Sequence, residues 1–190
     1  MTLRNALLVP VLLAATTGAT LAAEPYVGIG LGQSRYDIDT TGATSADTRD
    51  RAVSVYGGVM FGPNLGLELS LFDLGEARGV LSVPGVGSAT ATAKVRGIGT
   101  YAVGALPLGP VTLFAKLGGT YARAETKASG AFGSFSETES SFQPAGGLGV
   151  TYALTPKLGV RGEVERMRIK YAGGDKENVD LVTVGVTYRF

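Results

Sequence analysis

Apolar and polar residues alternate singly over most of the chain, and the final stretch shows it most cleanly. Val182, Val184, Val186, Tyr188 and Phe190 share one parity, whereas Thr183, Gly185, Thr187 and Arg189 share the other. Successive side chains of a strand point to opposite faces, so this is a strand with one apolar and one polar face. The same period recurs in eight segments, near 25–36, 52–61, 65–73, 93–106, 111–124, 142–154, 158–170 and 179–190. Val27, Ile29 and Leu31 oppose Gly28, Gly30, Gly32 and Ser34 in the first. Val53, Val55, Val59 and Phe61 oppose Ser54, Tyr56 and Gly58 in the second, and Leu67, Leu69 and Leu71 oppose Glu68 and Ser70 in the third. The fifth sets Leu113, Ala115, Leu117 and Tyr121 against Thr112, Lys116, Gly118 and Thr120. The seventh sets Leu158, Val160 and Val164 against Arg161, Glu163 and Glu165. The fourth is rich in Gly and Ala on both faces and gives no facing.

Connections alternate in length. Gly62-Pro63-Asn64, Leu106 to Pro110 and Leu154 to Lys157 are short turns carrying Pro, Gly or Asn, while 37–51, 74–92, 125–141 and 171–178 are longer and polar. Four long connections on one side and three short ones on the other predict an all-β fold: an eight-stranded antiparallel up-and-down transmembrane β-barrel over 24–190. In lipid every backbone N–H and C=O needs a partner within the protein, and only closure removes the two open edges of a sheet.

The facing follows from the charges. Glu68, Lys116, Arg161, Glu163 and Glu165 all lie opposite the apolar parity. On a lipid face each basic group at mid-depth would cost roughly 2–4 kcal/mol, so the polar parity is expected to face the lumen as an ion-pair network. An eight-stranded barrel is just wide enough for side chains to fill. Glu163 and Glu165 share a face, which is also an arrangement that acid–base catalysis uses. Basic partners and a filled lumen favour the structural network. Tyr26, Phe61, Tyr152, Tyr188 and Phe190 near the short-turn ends, and Phe72, Tyr121 and Tyr171 near the long ones, are candidates for interfacial aromatic girdles.

Residues 1–23 read as a secretory signal: Arg4, an apolar run from Ala6 to Ala15, and small residues Thr20-Leu-Ala-Ala23 for cleavage after Ala22 or Ala23. Losing Arg4 leaves a formal charge near zero, so no basic field recruits nucleic acid. Cys and His are absent, which excludes a disulfide framework and a Ser–His triad. No cofactor or metal site is expected. The chain carries 29 Gly, which suits a narrow barrel where inward residues must be small. Gly28-Ile-Gly-Leu-Gly32 alternates as a strand and no helical pattern follows it, so it is not a phosphate loop.

Three stretches carry a resemblance to the OmpA-like family of eight-stranded outer-membrane barrels. They are Gly57 to Leu69 continuing to Phe72-Asp-Leu-Gly75; Phe114 to Gly119 with Ala124 to Lys127; and Ala145-Gly-Gly147, Val150 to Pro156, Val160 to Glu163 and terminal Gly185 to Phe190. The resemblance implies an outer-membrane location and a lumenal pair between Glu68 and Arg161, with Lys116 as the fifth-strand basic residue. A second family pair maps to Val103 and Thr151, which cannot pair ionically. The resemblance also implies that Val184, Val186, Tyr188 and Phe190 form the signal read by the barrel-assembly machinery, with periplasmic chaperones and outer-membrane lipid as further partners. It covers the barrel alone, so no peptidoglycan-binding function is implied.

The expected function is therefore a small, non-enzymatic outer-membrane barrel with a structural or envelope role and surface-exposed loops. Two alternatives stay open: adhesion to a host or matrix ligand through the loops Asp37 to Arg51 and Glu125 to Ser141, and a narrow channel for ions or small solutes. A lipid-modifying enzyme needs a nucleophile–base pair at the membrane edge, and with no His available this reading ranks last. A soluble lipocalin-like barrel would invert the facing.

Overall fold

A computed structural model describes residues 23–36, 45–47, 49–83, 87–130, 133–170 and 176–190. The described strands are β1 (Ala23–Tyr36), β2 (Ser45–Asp47), β3 (Arg49–Phe61), β4 (Leu65–Val83), β5 (Gly87–Leu108), β6 (Val111–Gly130), β7 (Gly133–Ala153), β8 (Leu158–Lys170) and β9 (Lys176–Arg189). All except β2 form the wall. Each pairs antiparallel with its sequence neighbour, β4 pairs β5, and β9 returns to β1 with Val27 opposite Tyr188 and Leu31 opposite Val184. An even number of up-and-down strands lets the first and last meet antiparallel, so the eight-stranded barrel closes without an edge.

The facing is as expected from parity. Leu67, Leu69, Leu71, Leu113, Leu117, Leu148, Val164, Val182, Val184 and Val186 are exposed on the outer surface, while Glu68, Ser70, Lys116, Arg161, Glu163 and Glu165 are buried inside. β5 now acquires a facing: Val95, Tyr101 and Val103 point in, and Ile98 points out. Its inward residues are as apolar as its outward ones, which is why its pattern was mute.

Inside, rings lie on glycines. Tyr56 covers Gly28, Tyr26 covers Gly58, Phe72 covers Gly97 and Phe114 covers Gly149. Each pair is directly opposed across two neighbouring strands. A Cβ at any of these glycines would strike the ring, so these four glycines are the space the aromatic side chains occupy. This corrects the girdle for Tyr26 and Phe72. Both sit near strand ends but on the inward parity, and they are buried in the lumen. Phe61, Tyr121, Tyr152, Tyr188 and Phe190 are exposed on the outer face. Tyr188 and Phe190 meet edge to face with centroids 5.3 Å apart. Tyr171 lies outside the described residues.

The long connections differ most from expectation. β4 runs to Val83 and β5 starts at Gly87, and β6 and β7 continue to Gly130 and from Gly133. Most of 74–92 and 125–141 is therefore paired strand. Thr126 faces Glu137 and Lys94 faces Glu125 in continuous ladders. Beyond the lipid a strand needs no apolar face, so Ser, Thr and charged residues suffice once a partner backbone is adjacent. A bulge between Asp73 and Glu76 marks the change. Gly75 adopts φ +75°, its N–H donates to Asp73 Oδ1 at 3.0 Å, and the Glu76 N–H donates to Asp50 Oδ2 at 2.6 Å. Above it β4 leaves β3 and pairs with β2, Ala46 opposite Gly79.

Candidate functional site

The lumen holds three layers, and each is built from single inward residues of several strands. The middle layer is ionic. Glu68 on β4 reaches across the barrel to Arg161 on β8, whose Nη1 donates to Oε2 at 2.6 Å and Nη2 to Oε1 at 3.2 Å. The Arg161 Nε donates to Glu163 Oε2 at 2.9 Å. Lys116 on β6 completes the belt with ion pairs to Glu163, to Glu165 at 2.8 Å and, at 3.4 Å, to Glu68. All five predicted lumen residues thus meet in one connected network. Pairing is shared rather than one to one: Glu163 joins both cations, and Lys116 touches all three acids.

Three carboxylates face two cations, and tyrosines supply the remaining donors. The Tyr26 hydroxyl donates to Glu68 Oε2 at 2.9 Å and the Tyr101 hydroxyl donates to Glu165. The Arg161 guanidinium lies over Tyr56 at 4.3 Å and Phe114 at 4.1 Å, and the Lys116 ammonium lies over Tyr101 at 4.2 Å. Sequence reasoning did not assign these rings to the network. The signal was present, because Tyr26, Tyr56 and Phe114 share the inward parity of their strands.

Toward the long connections the lumen is closed by carbon. Leu74, Val95 and Val179 have no exposed surface, and Phe72, Ala122, Ala124, Met167 and Leu181 pack with them in one buried cluster. Toward the short turns the lumen instead opens into a cavity of about 360 Å³ that ends on Arg161. Val103 and Thr151 line this cavity and make no ion pair with each other, as expected from their chemistry.

On the outer wall, arginines mark the long-connection boundary of the apolar band. Arg96 pairs with Asp73 at 2.8 Å, and Arg166 grips Asp180 with two bonds of 2.6 and 2.7 Å. Arg35 stands opposite Asp180 in register. Farther out, Lys127 pairs with Glu125 at 2.7 Å and holds that carboxyl below the ordinary carboxylate range.

Among the described residues no group of His, Cys, Asp and Glu is arranged to hold a metal ion. No curated protein sequence matches the chain. Solved structures do. Ail, the attachment invasion locus protein of Yersinia pestis, is 21% identical with a TM-score of 0.61, covering 88% of this chain and 99% of Ail. Neisserial surface protein A is 14% identical with a TM-score of 0.59, covering 88% of this chain and 99% of that one. At these identities the likeness shows the fold. The sequence itself matches the outer membrane protein beta-barrel domain family over residues 6–190. With a closed eight-stranded wall, an apolar exterior and an ionic interior, the chain belongs to the outer membrane β-barrel family and resides in the outer membrane.

Proposed function

We propose that the protein is a non-enzymatic structural component of the outer membrane whose lumen does not conduct. One observation carries this reading: the ionic belt and the apolar cluster above it fill the lumen in series. An ion crossing the barrel would have to break several buried ion pairs and then enter a layer dominated by Leu74, Val95, Met167, Val179 and Leu181, where the buried Ser34 hydroxyl is already bonded to the Leu74 carbonyl, which is costly in a low-dielectric interior. Every carboxylate of the belt is already engaged by a cation, which leaves no free acid–base pair facing a substrate. Planar-bilayer recording on protein shown by a heat-modifiability gel to be folded tests this. Steady unit conductance would overturn it, and a silent bilayer is expected.

The short turns then face the periplasm and the long hairpins face outward. Residues 1–23 serve as the cleaved export signal. The outward Val184, Val186, Tyr188 and Phe190 serve as the signal taken by the barrel-assembly machinery after delivery by periplasmic chaperones. Deleting Phe190 should lower insertion while leaving export intact.

A second reading, surface recognition, is favoured by one feature. β7 pairs with β8 only from Ala145 onward, so Gly133 to Pro144 forms an edge of the outer sheet open on that side among the described residues. Pro144 stands where β8 departs, a position that tolerates a missing N–H. An open, polar edge strand offers backbone groups to a partner strand. Shortening the β6–β7 hairpin should reduce attachment to host cells or matrix, and unchanged attachment would remove this reading.

A further inference from the structure

The turn-side half of the lumen has a character that the structural role does not require. Its cavity of about 360 Å³ lies in the size range of small-molecule sites. The walls are mixed: Val103, Ala105 and Phe114 give apolar surface, and Thr112, Thr151 and Thr187 bring hydroxyls. The floor offers no free cation. The Arg161 donors are directed to Glu68 and Glu163, and aromatic rings cover its guanidinium. The mouth carries Glu24 and Arg189, one of each sign, and so has no net field. Above the floor, the buried apolar cluster separates this space from the outside.

We propose that this space is a blind vestibule, open to the periplasm alone, that binds a small neutral amphiphile. The apolar body would lie against Val103, Ala105 and Phe114, and a single hydroxyl, amide or N–H group would pair with Thr112 or Thr151. A charged ligand is disfavoured. It would lose its hydration and meet an Arg161 already paired with Glu68 and Glu163, and an anion would in addition face a belt in which three carboxylates outnumber two cations. The proposal rests on the reading of the lumen as closed on its outer side.

The chain contains no Cys and no Trp, so single cysteines and an added indole report without background. Thr112→Cys places a thiol in the vestibule, Ala122→Cys one in the apolar cluster, and Thr155→Cys one in an exposed turn. Each variant is folded into lipid vesicles, checked by heat-modifiability, and exposed to a small water-soluble methanethiosulfonate. Ala105→Cys replaces Thr112→Cys if the latter does not fold. Thr112→Cys should react nearly as fast as Thr155→Cys, and Ala122→Cys at least about 100-fold more slowly, because it waits on local opening. Indole at about ten times its dissociation constant should slow the vestibule thiol about tenfold and leave Thr155→Cys unchanged. Indole-3-acetate should protect far less.

An unreactive vestibule thiol beside a reactive turn thiol would overturn the vestibule and leave the non-conducting reading intact. A reactive vestibule thiol without selective protection by indole would overturn the binding claim. Equal protection by indole-3-acetate would overturn the preference for a neutral ligand. Rapid labelling of Ala122→Cys would overturn the one-sidedness, and the closed lumen with it.

Discussion

The two ends of the lumen are made by the same strands, yet one is packed solid and the other is left open. Toward the hairpins Leu74, Val95, Met167, Val179 and Leu181 touch one another at the barrel axis. Toward the turns the corresponding inward positions hold Val103, Thr112, Thr151 and Thr187, which are too small to meet. The ionic belt divides the two. The contrast shows that the diameter set by eight strands permits filling but does not compel it. Side-chain volume at a few inward positions decides, and here it has placed a protein-like core on the hairpin side only.

The largest test of this division acts on the belt itself. Lys116→Met leaves Glu165 without its cation and Glu163 with Arg161 alone, and should cost about 3–5 kcal/mol in urea unfolding. Lys116→Met/Glu165→Gln should recover part of that loss. If the single and double variants are equally stable, the belt is not coupled as its geometry states. Next, equivalent truncations should differ between the two ends. Leu181→Ala in the packed end should cost about 2–5 kcal/mol, whereas Val103→Ala, which already borders a cavity, should cost under about 1.5 kcal/mol. Equal costs would erase the contrast.

A smaller effect is expected where a ring meets a glycine. Gly149→Ala drives a methyl into Phe114 and should destabilise by about 1–3 kcal/mol. Gly149→Ala/Phe114→Leu should relieve only part of it, because the Gly162 carbonyl oxygen lies 2.6 Å from where the methyl would stand. The smallest effect lies outside the membrane. Glu125 is held below its ordinary value of 4.5 by the hydrogen bond and charge of Lys127. A depressed carboxylate contributes stability above its unfolded value and loses it as pH falls through the folded one. Amide exchange in the β6–β7 hairpin, corrected for intrinsic rate, should be flat from pH 7 to 5 and rise only as pH drops below 4.5. The pair is fully exposed, so global unfolding should not register it.

Much of the wall was legible because its two environments are chemically opposite. Leu67, Leu69 and Leu71 against Glu68 and Ser70 admit only one facing in lipid. β5 was not legible, since Thr100 and Ala102 outside are no more apolar than Tyr101 and Val103 inside. The hairpin extensions were not legible either. Ser-Phe-Ser-Glu-Thr-Glu-Ser reads as a loop until β6 is set beside it, since a ladder is a property of two segments. The belt's members were recognisable by parity, and the Glu68–Arg161 pair by resemblance. The sharing of Lys116 among three acids required the barrel's closure. The apolar cluster was hidden most completely, because β3 to β9 each lend only one or two residues to it.

The rings that rest on glycines have a consequence for how strands find their partners during assembly. A slip of one residue would turn Tyr56 or Phe114 toward lipid, and a slip of two would set the ring against a residue other than its glycine. For Tyr26 the residues two places along the facing strand are Tyr56 and Met60, both bulkier than its glycine, whereas Tyr56, Phe72 and Phe114 meet a bulkier residue in one direction (Tyr26, Val95 and Thr151) and a second glycine in the other (Gly30, Gly99 and Gly147). Tyr26 therefore acts as a proofreader of alignment in both directions and the other three rings in one, and the four pairings at β1–β3, β4–β5 and β6–β7 distribute that check around the cylinder.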